Sequence, residues 1–137
     1  EAGAFHYRKG DMGRADGLLP KAMRIDPKDY MAAFFYARML DETNRQAQAA
    51  NYYKQVLRYV PEDAEVHDAY ARSLGKTGNT PDAYIHMAYS AIYSHNKKLA
   101  ERYFNEAKSM SARTTDKTAF KRLETVYKER KEIWDKN

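Results

Sequence analysis

The sequence repeats with a period of 34 residues, and this period restricts the fold more than any single residue does. Related side chains recur at that spacing in three series: Ala15, Ala49 and Ala83; Ala22, Val56 and Ser90; and Leu19, Tyr53 and Met87. Pro27 and Pro61 follow the same spacing. A period of this length is typical of stacked helical hairpins. Because one hairpin cannot bury its own apolar face, neighbouring hairpins must share a continuous core.

Composition narrows the class of protein further. The 137 residues are 43% hydrophobic and 31% charged, which favours a globular chain over a disordered one. The absence of cysteine excludes disulfides and thiolate metal sites. No apolar run is long enough to predict a membrane span, and no signal peptide is visible. The chain starts at Glu1 in what the pattern indicates is mid-helix, so we expect a fragment of a longer protein.

The net charge of +5 is concentrated in the C-terminal half. Residues 69–137 hold 14 Lys and Arg against 8 Asp and Glu. A basic half can attract an acidic protein, nucleic acid or anionic lipid. However, these basic residues alternate with glutamates along the last helices, as they do on a solvated helix face. Nucleic acid is therefore the less favoured partner.

Turn-forming residues interrupt the apolar pattern about every 17 residues, which is half the period. The intervening segments predict eight helices, near residues 1–9, 12–25, 29–42, 45–59, 63–75, 81–93, 97–110 and 115–134. Asp29, Asp63 and Thr80 are predicted N-caps, and Thr115 is expected to start the last helix. No segment alternates with a period of two, so we predict no sheet.

This pattern resembles the tetratricopeptide repeat family. Residues 30–63 match the unit of that family through Tyr36, Ala37, Leu40, Ala49, Tyr53, Val56 and Pro61. Residues 1–29 match the later part of a unit. Residues 64–97 begin a further unit, but the frame then slips and a new unit starts at residue 81. Helix 81–93 would therefore close one hairpin and open the next.

The resemblance implies an all-α, right-handed solenoid of helical hairpins. We expect a single domain over residues 1–137, with units at 1–29, 30–63 and 64–97, the last overlapping a unit at 81–114. Residues 115–134 depart from the repeat pattern, since one face is apolar and the other is highly charged. We expect this segment to be a helix that caps the end of the array.

The first helix of each unit lines the concave surface in this family, so the resemblance also implies a groove for a peptide or protein segment. Projection of those positions onto this chain gives the groove residues Tyr7, Met31, Phe34, Arg38, Asp41, Asp68, Arg72, Lys76, Tyr89 and Tyr93. The arginines among them can bind carboxylates of a partner. Family members that clamp acidic chaperone tails use Lys and Asn at positions that here hold Phe34/Arg38 and Asp68/Arg72, which disfavours that partner.

No catalytic constellation is visible in the sequence, so we predict that this chain is not an enzyme and has no cofactor or metal. No His-Glu-x-x-His motif and no phosphate-binding glycine loop occurs. His67, with Glu65 and Asp68 nearby, can suggest a metal site, but it falls at a packing position of the repeat, which favours a packing role. His86 lies beside Tyr89 and Tyr93 and is a candidate to contact a ligand.

Residues 81–134 also resemble something narrower, the C-terminal repeat domain of M48-family zinc metallopeptidases of bacterial envelopes. The resemblance rests on the Gly78-Asn79 turn, the shared helix with Tyr84 and Met87 to Tyr89, the helix carrying Ala100, Phe104 and Ala107, and the polar last helix. His95 departs from the usual turn glycine. The zinc motif of those enzymes is absent from this chain, so no catalytic residue carries over.

Three functions follow as candidates. The first is a protein-interaction scaffold, and the second is the substrate- or partner-recruiting domain of such a metallopeptidase. The second would place the protein in the bacterial periplasm rather than the cytoplasm, and a His-Glu-x-x-His motif upstream of Glu1 would identify it. The third is homo-oligomerisation through exposed repeat ends, which size measurements at two concentrations would reveal.

Overall fold

The computed structural model describes residues 29–136, and all regular structure within this range is helical. Its α-helices are α1 Tyr30–Glu42, α2 Gln46–Tyr59, α3 Ala64–Lys76, α4 Thr80–Tyr93, α5 Lys97–Ser109 and α6 Ala119–Lys136. A 3-10 turn, Ser111–Arg113, precedes α6. The lack of strands over these residues confirms the all-α prediction. The helices predicted near 1–9 and 12–25 lie outside the described residues, as does Tyr7.

The chain divides into two compact units with the boundary between Pro61 and Glu62. In the first unit, α1 and α2 pack together as a hairpin. Asn44 turns the chain between them with a φ of 61°, a left-handed conformation that asparagine tolerates better than most residues. The rings of Tyr36 and Tyr52 meet edge to face, with centroids 4.9 Å apart. Ala49 is completely buried in α2.

The second unit contains α3 to α6. Helix α4 packs against both α3 and α5, and α6 contacts α4 and α5. A buried apolar cluster joins α4, α5 and α6, with Ile92, Phe104 and Leu123 among its members. The rings of Phe104 and Tyr127 stack with centroids 4.2 Å apart, which fixes α6 against α5. Over residues 29–136, no helix has the length and apolar character that crossing a bilayer requires.

Two of the predicted helix starts need correction. The amide oxygen of Asn79, rather than the hydroxyl of Thr80, caps α4 by accepting a hydrogen bond from Asp82 N at 3.4 Å. Helix α6 begins at Ala119 instead of near Thr115. The reason is local, because the Asp116 carboxylate accepts a hydrogen bond from Thr118 N at 2.9 Å and so closes a turn before the helix.

Of the other two predicted N-caps, one forms a capping hydrogen bond and the other does not. Asp63 caps α3 as expected, with its carboxylate accepting a hydrogen bond from Val66 N at 3.1 Å. Asp29 precedes α1 without a side-chain capping bond.

The Asp116 carboxylate, which closes the turn before α6, also accepts a hydrogen bond from Arg122 at 2.8 Å. This bond, together with those from Thr118, lowers the Asp116 pKa to about 2.

We expect Ala49→Leu to destabilise the first unit by about 1–3 kcal/mol, because the added atoms overpack a site with no exposed surface. Urea unfolding of the whole chain measures this cost. Ala47→Leu is the matched control, since Ala47 is exposed on the same helix and its replacement should stay within about 0.5 kcal/mol of wild type. Equal unfolding midpoints for the two variants would contradict the packing.

For the second unit, we expect Asp63→Ala to cost about 1 kcal/mol through loss of the α3 N-cap. The control is Glu62→Ala, one residue earlier, where the side chain is exposed and makes no capping bond. Thermal unfolding followed by circular dichroism compares the two variants. A control that melts as early as Asp63→Ala would show that the capping bond is not the cause.

Candidate functional site

The strongest surface feature of the second unit is a pair of stacked tyrosines on α4. Tyr89 and Tyr93 lie one helical turn apart, with ring centroids 6.0 Å apart and an interplanar angle of only 7°. Both rings are half-buried, so one part of each packs and another part faces solvent. Both residues belong to the predicted groove, and the structure places them in direct contact.

These tyrosines are part of a larger cluster between α3 and α4. We use the name aromatic–histidine cluster for His67, Tyr70, His86, Tyr89 and Tyr93. The ring of His67 contacts those of Tyr89 and Tyr93, with centroids 4.9 and 5.7 Å away. The rings of Tyr70 and His86 lie 4.6 Å apart. Their spacing of three and four residues along each helix turns these side chains toward the facing helix.

A histidine pair lies at the centre of the cluster. His67 Nδ1 and His86 Nδ1 are 3.0 Å apart, which is hydrogen-bonding distance. His67 is buried, as its predicted packing role requires. The alternative, a metal site with Glu65 and Asp68, gains no support, because the described part of the chain holds no group of three or more potential metal ligands.

Burial controls the ionisation of the cluster's phenols. Desolvation raises the pKa of Tyr70 to about 12, with a further contribution from the Asp82 carboxylate. Desolvation also raises the pKa of Tyr89 to about 12, and it raises that of Tyr93. The phenols are therefore neutral hydrogen-bonding groups at any physiological pH, and none is a candidate base.

The charged residues that the sequence predicts for a groove in this unit lie in one line along α3. Asp68, Arg72 and Lys76 are spaced by four residues, which places them on one helix face. Arg72 forms a salt bridge of 2.9 Å to Asp68, with side chains that are 71% and 41% exposed, respectively. Lys76 is exposed at the end of the helix. An exposed pair of this kind contributes little to stability, about 0–1 kcal/mol.

The predicted groove residues of the first unit are placed differently from one another. Met31 is 45% exposed, whereas Phe34 is only 2% exposed and its ring contacts that of Tyr53 on α2. The Arg38 guanidinium lies over the Phe34 ring, 5.7 Å from its centroid. Asp41 is buried and accepts a long hydrogen bond of 3.5 Å from the Tyr53 hydroxyl. Phe34 and Asp41 therefore pack within the hairpin.

Two features of the second unit were missed by sequence reasoning. One is the His67–His86 contact, which joins residues 19 positions apart. The other is Arg130 of α6, which donates a hydrogen bond to the Ile92 carbonyl at 3.1 Å and lies 3.3 Å from His95 Nδ1. A cation at this position complements the C-terminal end of α4. The only sequence signal for the His67–His86 contact was the apolar spacing around these two residues.

Comparison with known proteins gives one positive result. The family model for the tetratricopeptide repeat matches residues 6–73, which include α1, α2 and most of α3. No curated protein and no solved structure matches significantly. None of these comparisons supports the narrower resemblance to M48-family metallopeptidases. The family match, together with the all-helical structure of residues 29–136, supports a tetratricopeptide repeat in this chain, a motif that generally mediates contact between proteins.

Proposed function

We propose that this chain is a scaffold that binds a peptide or protein segment along a groove lined by first-helix residues. The observation that carries the proposal is the stacked, half-exposed pair of Tyr89 and Tyr93 in the second unit. Tyrosine offers a large contact area with few rotatable bonds, and it is enriched where proteins meet. Two such rings stacked in parallel provide a rigid apolar surface for a partner side chain.

Charged side chains on α3 of the same unit would supply polar contacts to a partner. Arg72 and Lys76 follow one face of α3. The salt bridge between Arg72 and Asp68 is exposed, so a partner carboxylate can replace Asp68 at small cost. Arginine binds carboxylates through two parallel hydrogen bonds, which orients the bound segment. In the first unit, exposed Met31 and the Arg38 guanidinium would supply a second, separate contact surface.

The finer architecture belongs to the same proposal. We infer a right-handed array of hairpins in which residues 115–134 provide the terminal cap. The leucine and tyrosine that α6 buries, Leu123 and Tyr127, support this role, because one face of the helix is packed and the rest is polar.

A second candidate is recruitment of substrates or partners for a bacterial envelope zinc metallopeptidase. The order of α4, α5 and the polar helix α6 favours it, since the narrower resemblance depends on that order. Under this candidate the protein would act in the periplasm. A third candidate, homo-oligomerisation through repeat ends, is favoured by Ile133 on α6, which is 54% exposed. A size that rises with concentration would support the third candidate.

The scaffold proposal is tested by affinity capture with the whole chain, followed by titration of the captured partner. We expect a triple variant, Arg72→Gln, Lys76→Gln and Tyr89→Phe, to weaken partner binding by at least about tenfold, or about 1.4 kcal/mol, through loss of two positive charges and of the Tyr89 hydroxyl. These changes keep the aliphatic stems and the ring, so the melting temperature should hold. A fall of ten degrees or so would show a structural role for these side chains instead.

A control triple on the same unit, Lys108→Gln, Arg113→Gln and Tyr103→Phe, makes the same chemical changes away from the proposed groove. Lys108 and Arg113 are exposed, and Tyr103 is half-buried like Tyr89. This variant should bind the partner as wild type does. Equal losses of partner affinity in the two triple variants would mean that overall positive charge, rather than the groove, attracts the partner. That result would overturn the proposal.

A further inference from the structure

The geometry of the His67–His86 pair defines how the two rings interact. The Nδ1 atoms are 3.0 Å apart, the ring centroids 5.2 Å apart, and the ring planes differ by 22°. This centroid separation is close to the largest that the N···N distance permits. The two nitrogens therefore lie nearly on the line between the ring centres, and the rings meet edge to edge. In this arrangement the in-plane nitrogen orbitals point at each other, rather than at a third atom such as a metal ion.

We propose that His67 and His86 form a pH-sensitive link between α3 and α4, which holds while the pair carries at most one positive charge and opens when both imidazoles are protonated. The link concerns the folding of the second unit alone. It stands independently of the scaffold proposal, and its test needs no partner.

Proton counting supports the link. In the neutral pair, one imidazole donates its Nδ1–H and the other accepts with an unprotonated Nδ1, so it carries its proton on Nε2. One added proton can bind to the unprotonated Nε2 of the donor, and the hydrogen bond becomes charge-assisted. A second added proton must bind to the accepting Nδ1. The bond is then lost, and two N–H groups of like charge face each other.

Burial makes the doubly protonated state costly. His67 is only 5% exposed and lies among the rings of Tyr89 and Tyr93. His86 contacts the Tyr70 ring. A second positive charge in this place would be poorly solvated. The three phenols stay neutral across the acid range, because desolvation raises the pKa of each of them.

Charged groups around the cluster come from several elements. Asp82 of α4 acts on Tyr70, and Glu62, just before α3, acts on Tyr93. On α6, Arg122 acts on Tyr89 and Arg130 on Tyr93. Of the side chains that carry charge in proteins, imidazole is the type whose reference pKa, near 6.5, lies between pH 5 and pH 7. Among the side chains of the cluster, the histidine pair is therefore the part that titrates between pH 5 and pH 7. His95, which lies beside Arg130, is the other imidazole near this region.

The sign of the effect follows from linkage. The unfolded chain binds two added protons on these histidines as pH falls through about 6.5, whereas the folded pair accepts one while the link is closed. Stability is therefore present at neutral pH and lost as pH falls. With one excess proton on the unfolded chain, the folding equilibrium constant falls by up to about tenfold per pH unit. Since His67 contacts Tyr89 and Tyr93, opening the link also weakens a ring contact to each of these tyrosines.

The first test is nitrogen-15 NMR of the histidine side chains in the unaltered chain. At pH 7.5 we expect one imidazole to hold its proton on Nδ1 and to show scalar coupling through the N–H···N hydrogen bond. Its hydrogen-bonded partner should hold its proton on Nε2. If all the imidazoles carry their protons on Nε2 and no such coupling appears, the link does not exist and the inference is overturned.

The second test is urea unfolding of the whole chain between pH 5 and pH 7. His86→Gln provides an amide that can donate or accept toward His67 but does not titrate. It should lose the steep acid dependence that wild type shows. The matched control is His95→Asn, which removes an exposed histidine from a turn with a φ of 62°, a conformation that asparagine accepts. This variant also removes the His95 contact with Arg130, and its pH dependence should stay close to that of wild type.

The same pH dependence in wild type and in both variants would overturn the inference. If His86→Gln fails to fold, the NMR measurement on the unaltered chain decides alone.

Discussion

The structure depends on the close approach of neighbouring helices at alanines that leave no surface to solvent. Alanines with no exposed surface occur on four of the six described helices: Ala37, Ala49, Ala88, Ala100 and Ala107. A larger side chain at these points would hold the helices apart. Aromatic rings fill the space beside them, as the Phe104–Tyr127 stack does between α5 and α6. We attribute the 34-residue period to this contact, because each hairpin needs small residues at equivalent positions along its helices.

That packing also produces the candidate site. Pairing of α3 with α4 brings His67 against His86 and Tyr89, so the same contact that stabilises the second unit orders its surface tyrosines. The proposed groove and the proposed pH-sensitive link are therefore two consequences of one helix pair. Binding would use the solvent-facing part of the tyrosine stack. The histidine link lies on the buried side of the tyrosine stack, where the cost of a second charge is greatest.

Local pattern predicted the six described helices well, because apolar spacing and turn residues are properties of short segments. It failed at the start of α6. There the Asp116 carboxylate accepts a hydrogen bond from Thr118 N and closes a turn, so the helix begins only at Ala119. It also could not decide which first-helix residues are covered. Phe34 and Arg38 share a face of α1, yet only Phe34 is fully buried, since its ring reaches Tyr53 of α2. The histidine pair needed the relative rotation of α3 and α4, which no single segment encodes.

Close packing of neighbouring helices is tested most directly by a NOESY spectrum of the whole chain with labelled aromatic side chains. The account predicts strong cross-peaks between the rings of Tyr36 and Tyr52, which join α1 to α2, and between those of Phe104 and Tyr127, which join α5 to α6. Helical chemical shifts over these segments without either cross-peak would mean that the helices form but do not pack as neighbours, and would contradict the account.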